Sequence, residues 1–289
     1  MSTTQKTLSA ANAGTVNFGD VTVNRLGFGA MRITGEGIWG EPKDREEAKR
    51  VLRRAVELDV NLIDTADSYG PEVSERLIGE TLAPYKPGLV IATKGGYVRS
   101  GPNRWTPNLQ PRHLREALEG SLRRLKLDRI DVYQLHNAAD QSVPLADAIG
   151  ALAEMQREGK IRHIGVSNFT VPQLAQARSI VNVVSVQNRY NLGDRASEAV
   201  LAECEALGIP FLPWAPLGGN NRTATTALAN VATRHGATPN QIAIAALLAH
   251  SPMMLPIPGT SRVSHLEENI AAAGIELTSD DRRELSLTS

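Results

Sequence analysis

The chain has 289 residues, 42% of them hydrophobic, and 31 Lys and Arg balance 31 Asp and Glu, so the formal charge at pH 7 is zero. This balance provides no positive surface for nucleic acid, and no apolar run approaches the roughly 20 residues that span a bilayer, so we expect neither nucleic acid nor membrane as a partner. The single cysteine excludes an internal disulfide, and the polar N-terminus lacks an apolar secretory segment, which leads us to expect a cytoplasmic protein.

The first predicted element is a β-hairpin, in which two alternating strands at 15–18 and 21–23 flank a Gly19-Asp20 turn. From residue 26 onward, short apolar runs alternate with amphipathic stretches. The apolar runs predict strands at 26–30, 61–65, 89–94, 130–136, 161–167, 183–187, 209–214 and 255–257. The amphipathic stretches predict helices at 45–58, 73–82, 112–125, 145–157, 172–178 and 197–207, then a helical region ending at 239–249, and a last helix at 263–272.

This succession predicts a single α/β domain. Uninterrupted aliphatic runs such as 89–92 are typical of strands that are buried on both faces of a parallel sheet. Eight strand-helix units in about 260 residues favour a (β/α)8 TIM barrel over an open sheet. Because no low-complexity linker divides the chain, we predict a flexible N-terminal tail at 1–14 and one barrel domain at 15–289, which begins with the hairpin.

Polar side chains follow three successive strands of the predicted barrel, and the active site of a barrel lies at the carboxyl ends of its strands. The residues are Asp64 at the end of the second strand, Tyr69 in its loop, Lys94 at the end of the third and His136 at the end of the fourth. Each has an ordinary explanation when taken alone, as a helix cap, a packed aromatic ring, a strand-end lysine or a buried histidine. All four together suggest chemistry on a carbonyl oxygen.

The proposed chemistry depends on how these side chains act on one another. A buried ammonium on Lys94 needs the charge of Asp64 beside it. That ammonium favours the phenolate form of Tyr69, so we expect a lowered Tyr69 pKa and a proton donor that works near neutral pH. His136 would orient the substrate oxygen by hydrogen bonding. Since the four side chains include no hydride donor, carbonyl reduction implies a nicotinamide cofactor.

A longer motif surrounds these residues. The segment 61–70, Asn-Leu-Ile-Asp-Thr-Ala-Asp-Ser-Tyr-Gly, with Ser-Glu-Arg-Leu-Ile-Gly at 74–79, resembles the first signature of the aldo-keto reductase family, and the likeness runs from the hairpin to the last barrel helix. It implies an NADPH-dependent reductase of aldehydes or ketones, with Tyr69 as the general acid. Shorter stretches, among them 29–32 and 186–191, resemble a bacterial subgroup that includes pyridoxal reductases, so pyridoxal is one candidate substrate.

The same resemblance assigns a cofactor site. Ser167, Asn168 and Gln187 would bind the nicotinamide carboxamide, and Trp214 would stack on the nicotinamide ring. The other expected cofactor contacts are Met31, Arg32, Pro216, Leu217, Gly219, Gly259, Thr260, Ser261, Arg262, His265, Glu268 and Asn269. Gly259 and His265 stand where relatives frequently have Lys and Arg. Arg262 is expected to bind the 2'-phosphate, because its planar donor fork can bind two phosphate oxygens at once.

The substrate pocket is expected to include Trp39, Tyr97, Trp105 and Asn137, because aromatic residues gather in the loops after the first and third strands. The spacing of residues argues against two other kinds of site, a Rossmann dinucleotide-binding loop and a metal site. The segment 27–32 begins like a dinucleotide fingerprint but has Arg32 at the third glycine position, and the six histidines show no metal-binding spacing, so no metal is predicted. A third alternative stays open, in which the chain is a catalytically weak NADPH-binding regulatory subunit of the same fold.

Overall fold

The computed structural model describes residues 7–218 and 226–287. The strands, in chain order, are β1 (Thr15–Phe18), β2 (Val21–Asn24), β3 (Phe28–Gly29), β4 (Leu62–Asp64), β5 (Val90–Gly95), β6 (Tyr97–Gly101), β7 (Arg104–Pro107), β8 (Ile130–Leu135), β9 (Ile161–Ser167), β10 (Val183–Arg189) and β11 (Phe211–Trp214). The helices are α1 (Arg45–Glu57), α2 (Val73–Leu82), α3 (Pro111–Leu125), α4 (Leu145–Arg157), α5 (Val171–Arg178), α6 (Glu198–Leu207), α7 (Thr226–His235), α8 (Pro239–His250), α9 (Val263–Ala271) and α10 (Ser279–Glu284). No helix in these two ranges is long and apolar enough to cross a membrane.

Seven parallel strands form one sheet in the order β11, β10, β9, β8, β5, β4, β3, and helices follow its strands along the chain. The (β/α)8 architecture is therefore confirmed. The hairpin of β1 and β2 is also confirmed, with Phe18 paired to Val21 across the turn. A second hairpin, formed by β6 and β7, was not predicted and lies in the loop after β5.

The predicted eighth strand at 255–257 is not a regular strand. The segment is nevertheless bonded to both edges of the sheet, because the Leu255 amide donates to the carbonyl of Phe211 (2.9 Å) and the Gly27 amide donates to the carbonyl of Pro256 (3.0 Å). Pro256 and Pro258 have no N–H to donate, so a continuous ladder cannot form along this segment. The barrel is thus closed by a few backbone hydrogen bonds rather than by a regular paired strand.

The predicted tail at 1–14 needs a correction, although residues 1–6 lie outside the described part of the chain. Residues Ala10–Ala13 form a 3-10 helix whose first turn is capped by the Ser9 hydroxyl. Ala10 is fully buried, and its amide donates to the carbonyl of Leu58 (2.8 Å). The small alanine side chain fits against the barrel, so this part of the predicted tail is packed.

The interior of the barrel is apolar at one end and polar at the other. Val16, Phe18 and Val23 of the hairpin pack with inward-facing residues near the starts of the strands, including Leu62 and Val90. Side chains two residues further along a strand share the same face. On β4 that position is Asp64, on β5 it is Lys94 two residues after Ala92, and on β8 it is Gln134 two residues after Val132. The hairpin therefore covers the apolar end, and the polar site forms at the carboxyl ends.

Candidate active site

The four side chains predicted at the strand ends lie together in the structure. Lys94 Nζ donates to Asp64 Oδ2 (2.7 Å) and to the carbonyl of Thr65 (2.8 Å), and it lies 3.3 Å from the Tyr69 hydroxyl. The Tyr69 and His136 ring centroids are 5.9 Å apart. Lys94 is fully buried and Asp64 is 2% exposed, so water screens this ion pair very little.

Burial and charge act in opposite directions on Lys94. Burial by itself is the largest effect and lowers the pKa of the Lys94 ammonium, but the charges and hydrogen bonds of Asp64 and Tyr69 together outweigh it, and the pKa of Lys94 is raised. The pKa of Tyr69 is also raised. Burial disfavours the charged phenolate, and the positive charge of Lys94 offsets only part of that effect. The prediction of a lowered Tyr69 pKa is therefore wrong, because burial disfavours the phenolate more strongly than Lys94 favours it. Tyr69 keeps its proton at neutral pH, as a proton donor must.

His136 is neutral in this environment. Burial, together with the nearby charge of Lys94, holds the pKa of His136 well below its ordinary value. The Ser68 hydroxyl lies 3.4 Å from His136 Nδ1. A neutral imidazole carries one N–H, and a Ser68 hydroxyl that donates to Nδ1 leaves the hydrogen on Nε2. That nitrogen can then donate a hydrogen bond to a substrate oxygen.

Two glutamines hold the carboxylate of Asp64 from the side opposite Lys94. Gln134 Nε2 and Gln187 Nε2 donate to Asp64 Oδ1 at 3.0 and 2.8 Å. Gln187 was expected to bind the nicotinamide carboxamide, and its amide also donates to the carboxylate of Asp64. Gln134 was not predicted, although its position two residues before His136 was an available signal, since alternate residues of a strand share a face.

An open cavity of about 1810 Å³ runs across the carboxyl ends of the strands. Its lining includes Asp64, Tyr69 and His136, while Lys94 lies behind the wall. Twelve predicted cofactor residues also line it, namely Met31, Arg32, Ser167, Asn168, Gln187, Trp214, Pro216, Leu217, Gly259, Thr260, Ser261 and Arg262. The cavity thus connects Asp64, Tyr69 and His136 with most of the residues that are expected to bind the cofactor.

The other predicted cofactor residues are not brought to this cavity. Gly219 lies outside the described residues. His265, Glu268 and Asn269 stand on α9 and are not among the lining residues. The Glu268 carboxylate is engaged elsewhere, since it accepts a hydrogen bond from the Thr238 hydroxyl (2.7 Å) at the start of α8.

The donor groups along the cavity suit a nicotinamide dinucleotide. At one end, the Ser167 hydroxyl and the amides of Asn168 and Gln187 can both donate and accept hydrogen bonds, as a carboxamide requires. Trp214 Nε1 donates to Asn168 Oδ1 (2.8 Å), which holds the indole over this end. At the other end, the exposed guanidinium groups of Arg32 and Arg262 are suited to phosphate oxygens. The residues therefore fit the cofactor in their chemistry.

Two of the four predicted substrate residues reach the cavity. Tyr97 and Trp105 line it from the β6–β7 hairpin, with the Tyr97 ring centroid 4.8 Å from that of His136 and the Trp105 centroid 6.3 Å from that of Tyr69. They form an aromatic wall beside Tyr69. Asn137 is buried instead, and its amide donates to the carbonyl of Gly96 (2.8 Å).

Trp39 is likewise absent from the described lining, and its ring faces the Arg99 guanidinium at 5.7 Å. The Trp39 ring thus lies toward the β6–β7 hairpin, which carries Arg99. In the described ranges, no group of three His, Cys, Asp or Glu side chains could hold a metal ion.

Known proteins resemble the chain over most of its length. The model of the "Aldo/keto reductase family" matches residues 25–286. An uncharacterized oxidoreductase of Schizosaccharomyces pombe is 53% identical over 94% of this chain and 89% of its own. Pyridoxine 4-dehydrogenase of Escherichia coli is 44% identical over 93% of this chain and 96% of its own. A solved aldo-keto reductase of Klebsiella pneumoniae in complex with NADPH has a TM-score of 0.80 and 26% identity, covering 94% of this chain and 93% of that chain.

Proposed function

The chain belongs to the aldo/keto reductase family, and from this membership we propose that it reduces a small aldehyde or ketone to the alcohol with NADPH, with Tyr69 as the proton donor. The contact of Lys94 Nζ with both Asp64 Oδ2 (2.7 Å) and the Tyr69 hydroxyl (3.3 Å) carries the assignment of the proton donor. The use of NADPH is supported by the Klebsiella pneumoniae relative, which contains it, and by the hydroxyl, amide and guanidinium groups along the cavity.

The residues of the site divide the reaction between them. When bound, NADPH would supply the hydride that the carbonyl carbon accepts. As the new C–H bond forms, the O–H bond of Tyr69 breaks and its proton moves to the carbonyl oxygen. Lys94 stabilises the phenolate that remains, and Asp64 keeps Lys94 charged. A proton from solvent then restores Tyr69.

His136 has a separate role in this proposal. Because its imidazole is neutral, Nε2 can donate to the carbonyl oxygen without competing with Tyr69 for the transferred proton. The Tyr69 and His136 ring centroids are 5.9 Å apart and both residues line the cavity, so one carbonyl group can lie beside both side chains. The arrangement polarises the carbonyl and fixes its direction.

Pyridoxal is the specific substrate that we propose. It is a flat pyridine ring that carries an aldehyde, and Tyr97 and Trp105 provide an aromatic wall next to Tyr69. The Escherichia coli relative is named for pyridoxine, the alcohol that corresponds to pyridoxal. Aromatic side chains bind flat rings with a preferred geometry, which favours this class of carbonyl over flexible aliphatic ones.

Replacing Tyr69 tests the proton donor. Tyr69→Phe keeps the ring and removes the acid, so turnover of pyridoxal should fall by about 10²- to 10⁴-fold while the Kd for NADPH stays the same. NADPH oxidation and fluorescence titration measure the two quantities. Tyr85→Phe is the matched control, because the Tyr85 hydroxyl donates to the carbonyl of Leu125 (2.6 Å) away from the cavity.

The possible results separate the alternatives. Near-normal turnover by Tyr69→Phe removes Tyr69 from the mechanism. Tight binding of NADPH by the parent, with no turnover of pyridoxal, nitrobenzaldehyde, methylglyoxal or simple ketones, instead favours the regulatory subunit.

A further inference from the structure

Arg99, in the middle of β6, is bonded to the backbone through every N–H group of its guanidinium. An arginine side chain has five such donors. Nε donates to the carbonyl of Arg104 (3.0 Å), Nη1 to those of Ile38 (3.0 Å) and Ser68 (2.7 Å), and Nη2 to those of Gly37 (3.1 Å) and Gly101 (3.3 Å). Because all five N–H groups have partners, the Arg99 guanidinium is held in one position beside the cavity.

The five carbonyls come from three segments that are far apart in the chain. Gly37 and Ile38 lie in the loop after β3, Ser68 lies in the loop after β4, and the remaining two belong to the β6–β7 hairpin. A planar guanidinium can join three segments in one fixed geometry, whereas an ammonium has only three donors on a flexible stem. Arg99 therefore ties together three loops at the rim of the site.

The flat face of the Arg99 guanidinium also makes a contact, in addition to the hydrogen bonds of its N–H groups. Arg99 Cζ lies 3.7 Å from the centroid of the Trp105 ring, a cation–π contact with the residue paired to it across the hairpin. Trp105 in turn meets Tyr69 and His136, each at a centroid distance of 6.3 Å. The position of the aromatic wall relative to the proton donor thus depends on Arg99.

The proton donor itself has other supports. The Tyr69 amide donates to the carbonyl of Ala66 (3.2 Å), and the Ser74 amide donates to the carbonyl of Tyr69 (3.1 Å). Tyr69 and Lys94 should therefore stay in place when the guanidinium is lost, while Trp105 loses the cation that covers its face.

From these contacts we propose that Arg99 is a positioning residue that holds Trp105 against the site and so determines the selection of aromatic over aliphatic carbonyls. This proposal rests on the carbonyl reductase function given above. A small aliphatic aldehyde needs Tyr69 and His136 but not the wall. An aromatic aldehyde needs both, and a misplacement of about 1 Å can cost about 10²-fold in rate.

The test compares 4-nitrobenzaldehyde with propanal in the parent and in Arg99→Ala and Arg99→Lys. The ratio of kcat/KM for the aromatic over the aliphatic aldehyde should fall at least about tenfold in both variants, with the Kd for NADPH unchanged. Millimolar guanidinium chloride should restore part of the ratio to Arg99→Ala, and ammonium chloride at the same ionic strength should not. Arg104→Ala is the matched control, because its side chain is exposed and its carbonyl is retained.

A second readout does not depend on turnover. Acrylamide should quench the fluorescence of Trp105 more strongly in Arg99→Ala than in the parent, with Trp105→Phe used to identify the Trp105 signal. An unchanged substrate ratio with unchanged quenching overturns the proposal, and so does an equal loss for both aldehydes together with weaker NADPH binding. If the parent reduces neither aldehyde, the proposed function fails, and the quenching comparison alone decides whether Arg99 positions Trp105.

Discussion

Buried ionisable residues near the site keep their charge only where an opposite charge touches them. Lys94 keeps its positive charge because it forms an ion pair with Asp64. Asp67, three residues after Asp64, is only 9% exposed, and its Oδ1 atom finds no hydrogen-bond partner among the described residues. Burial, with the nearby charge of Glu75, raises the pKa of Asp67 to about 8. This carboxyl group is therefore protonated in the folded protein at neutral pH.

The raised pKa makes stability depend on pH in a defined direction. In the unfolded chain Asp67 titrates near 3.8, so its contribution to stability is complete below that pH and is lost as the pH rises through about 8. Asp67→Asn cannot ionise, so its free energy of unfolding should exceed that of the parent by about 2 kcal/mol or more at pH 8, with a smaller difference at pH 5. Urea unfolding at the two pH values measures this.

Asp128→Asn, which removes one exposed charge, is the control for that comparison. A difference between Asp67→Asn and the parent that is the same at pH 5 and pH 8 would show that the Asp67 pKa is not raised by folding.

At the scale of the elements, α2 and α3 approach each other closely at a glycine. A Cβ atom on Gly79 would overlap the carbonyl oxygen of Arg124 and would lie 3.1 Å from the Cα atom of Leu125. Both neighbours are backbone atoms, so neither can move away without shifting a helix. Gly79 is thus needed for the distance between the two helices rather than for its own backbone conformation.

Two glycines in helices form a matched pair that tests this packing. Gly79→Ala should lower the free energy of unfolding by about 1 to 3 kcal/mol, the usual cost of overpacking a core. Gly150→Ala in α4 should raise it by about 0.5 to 1 kcal/mol, because no described atom lies within 4 Å of its added Cβ and alanine favours the helix. Thermal and urea unfolding report both values, and a stabilised Gly79→Ala protein would contradict the packing argument.

At the scale of the whole molecule, the cavity extends across the place where the barrel closes, between β11 and β3. Residues at and just beyond the carboxyl ends of β9, β10 and β11 form one side, and the segment 257–262 beside β3 forms the other. A dinucleotide that spans the cavity would contact both sides at once. Binding should therefore stabilise the complete fold, including the closure that is made by a few backbone hydrogen bonds.

This linkage provides a test of the dinucleotide preference. At a concentration of 100 times its Kd, NADPH should raise the free energy of unfolding by about 2.7 kcal/mol, or the Tm by about 5 to 10 °C. If Arg262 binds the 2'-phosphate, Arg262→Ala should weaken NADPH binding by about 1.5 to 3 kcal/mol and leave NADH binding nearly unchanged. Arg178→Ala, on the exposed side of α5, controls for the loss of charge. An equal loss for both dinucleotides would exclude Arg262 as the phosphate ligand.

The sequence by itself determined the order of the first seven barrel strands and the family of the chain. Apolar residues recur with the period of the element that they form, so α2 was predicted at the observed bounds and β9 was too. The strand-end residues followed for the same reason, because the carboxyl ends of parallel strands meet at one face of a barrel. Asp64, Lys94 and His136 could therefore be placed together without coordinates.

Only the tertiary structure decided features that depend on distances between remote segments. The direction of the Tyr69 pKa shift depends on how completely the barrel buries the phenol, which no local pattern reports. The role of Arg99 depends on five carbonyls from three loops, and the positions of Asn137 and Glu268 depend on partners elsewhere in the fold. Local periodicity records which way a side chain faces within its own element, whereas desolvation and hydrogen bonding between loops arise only when the elements are assembled.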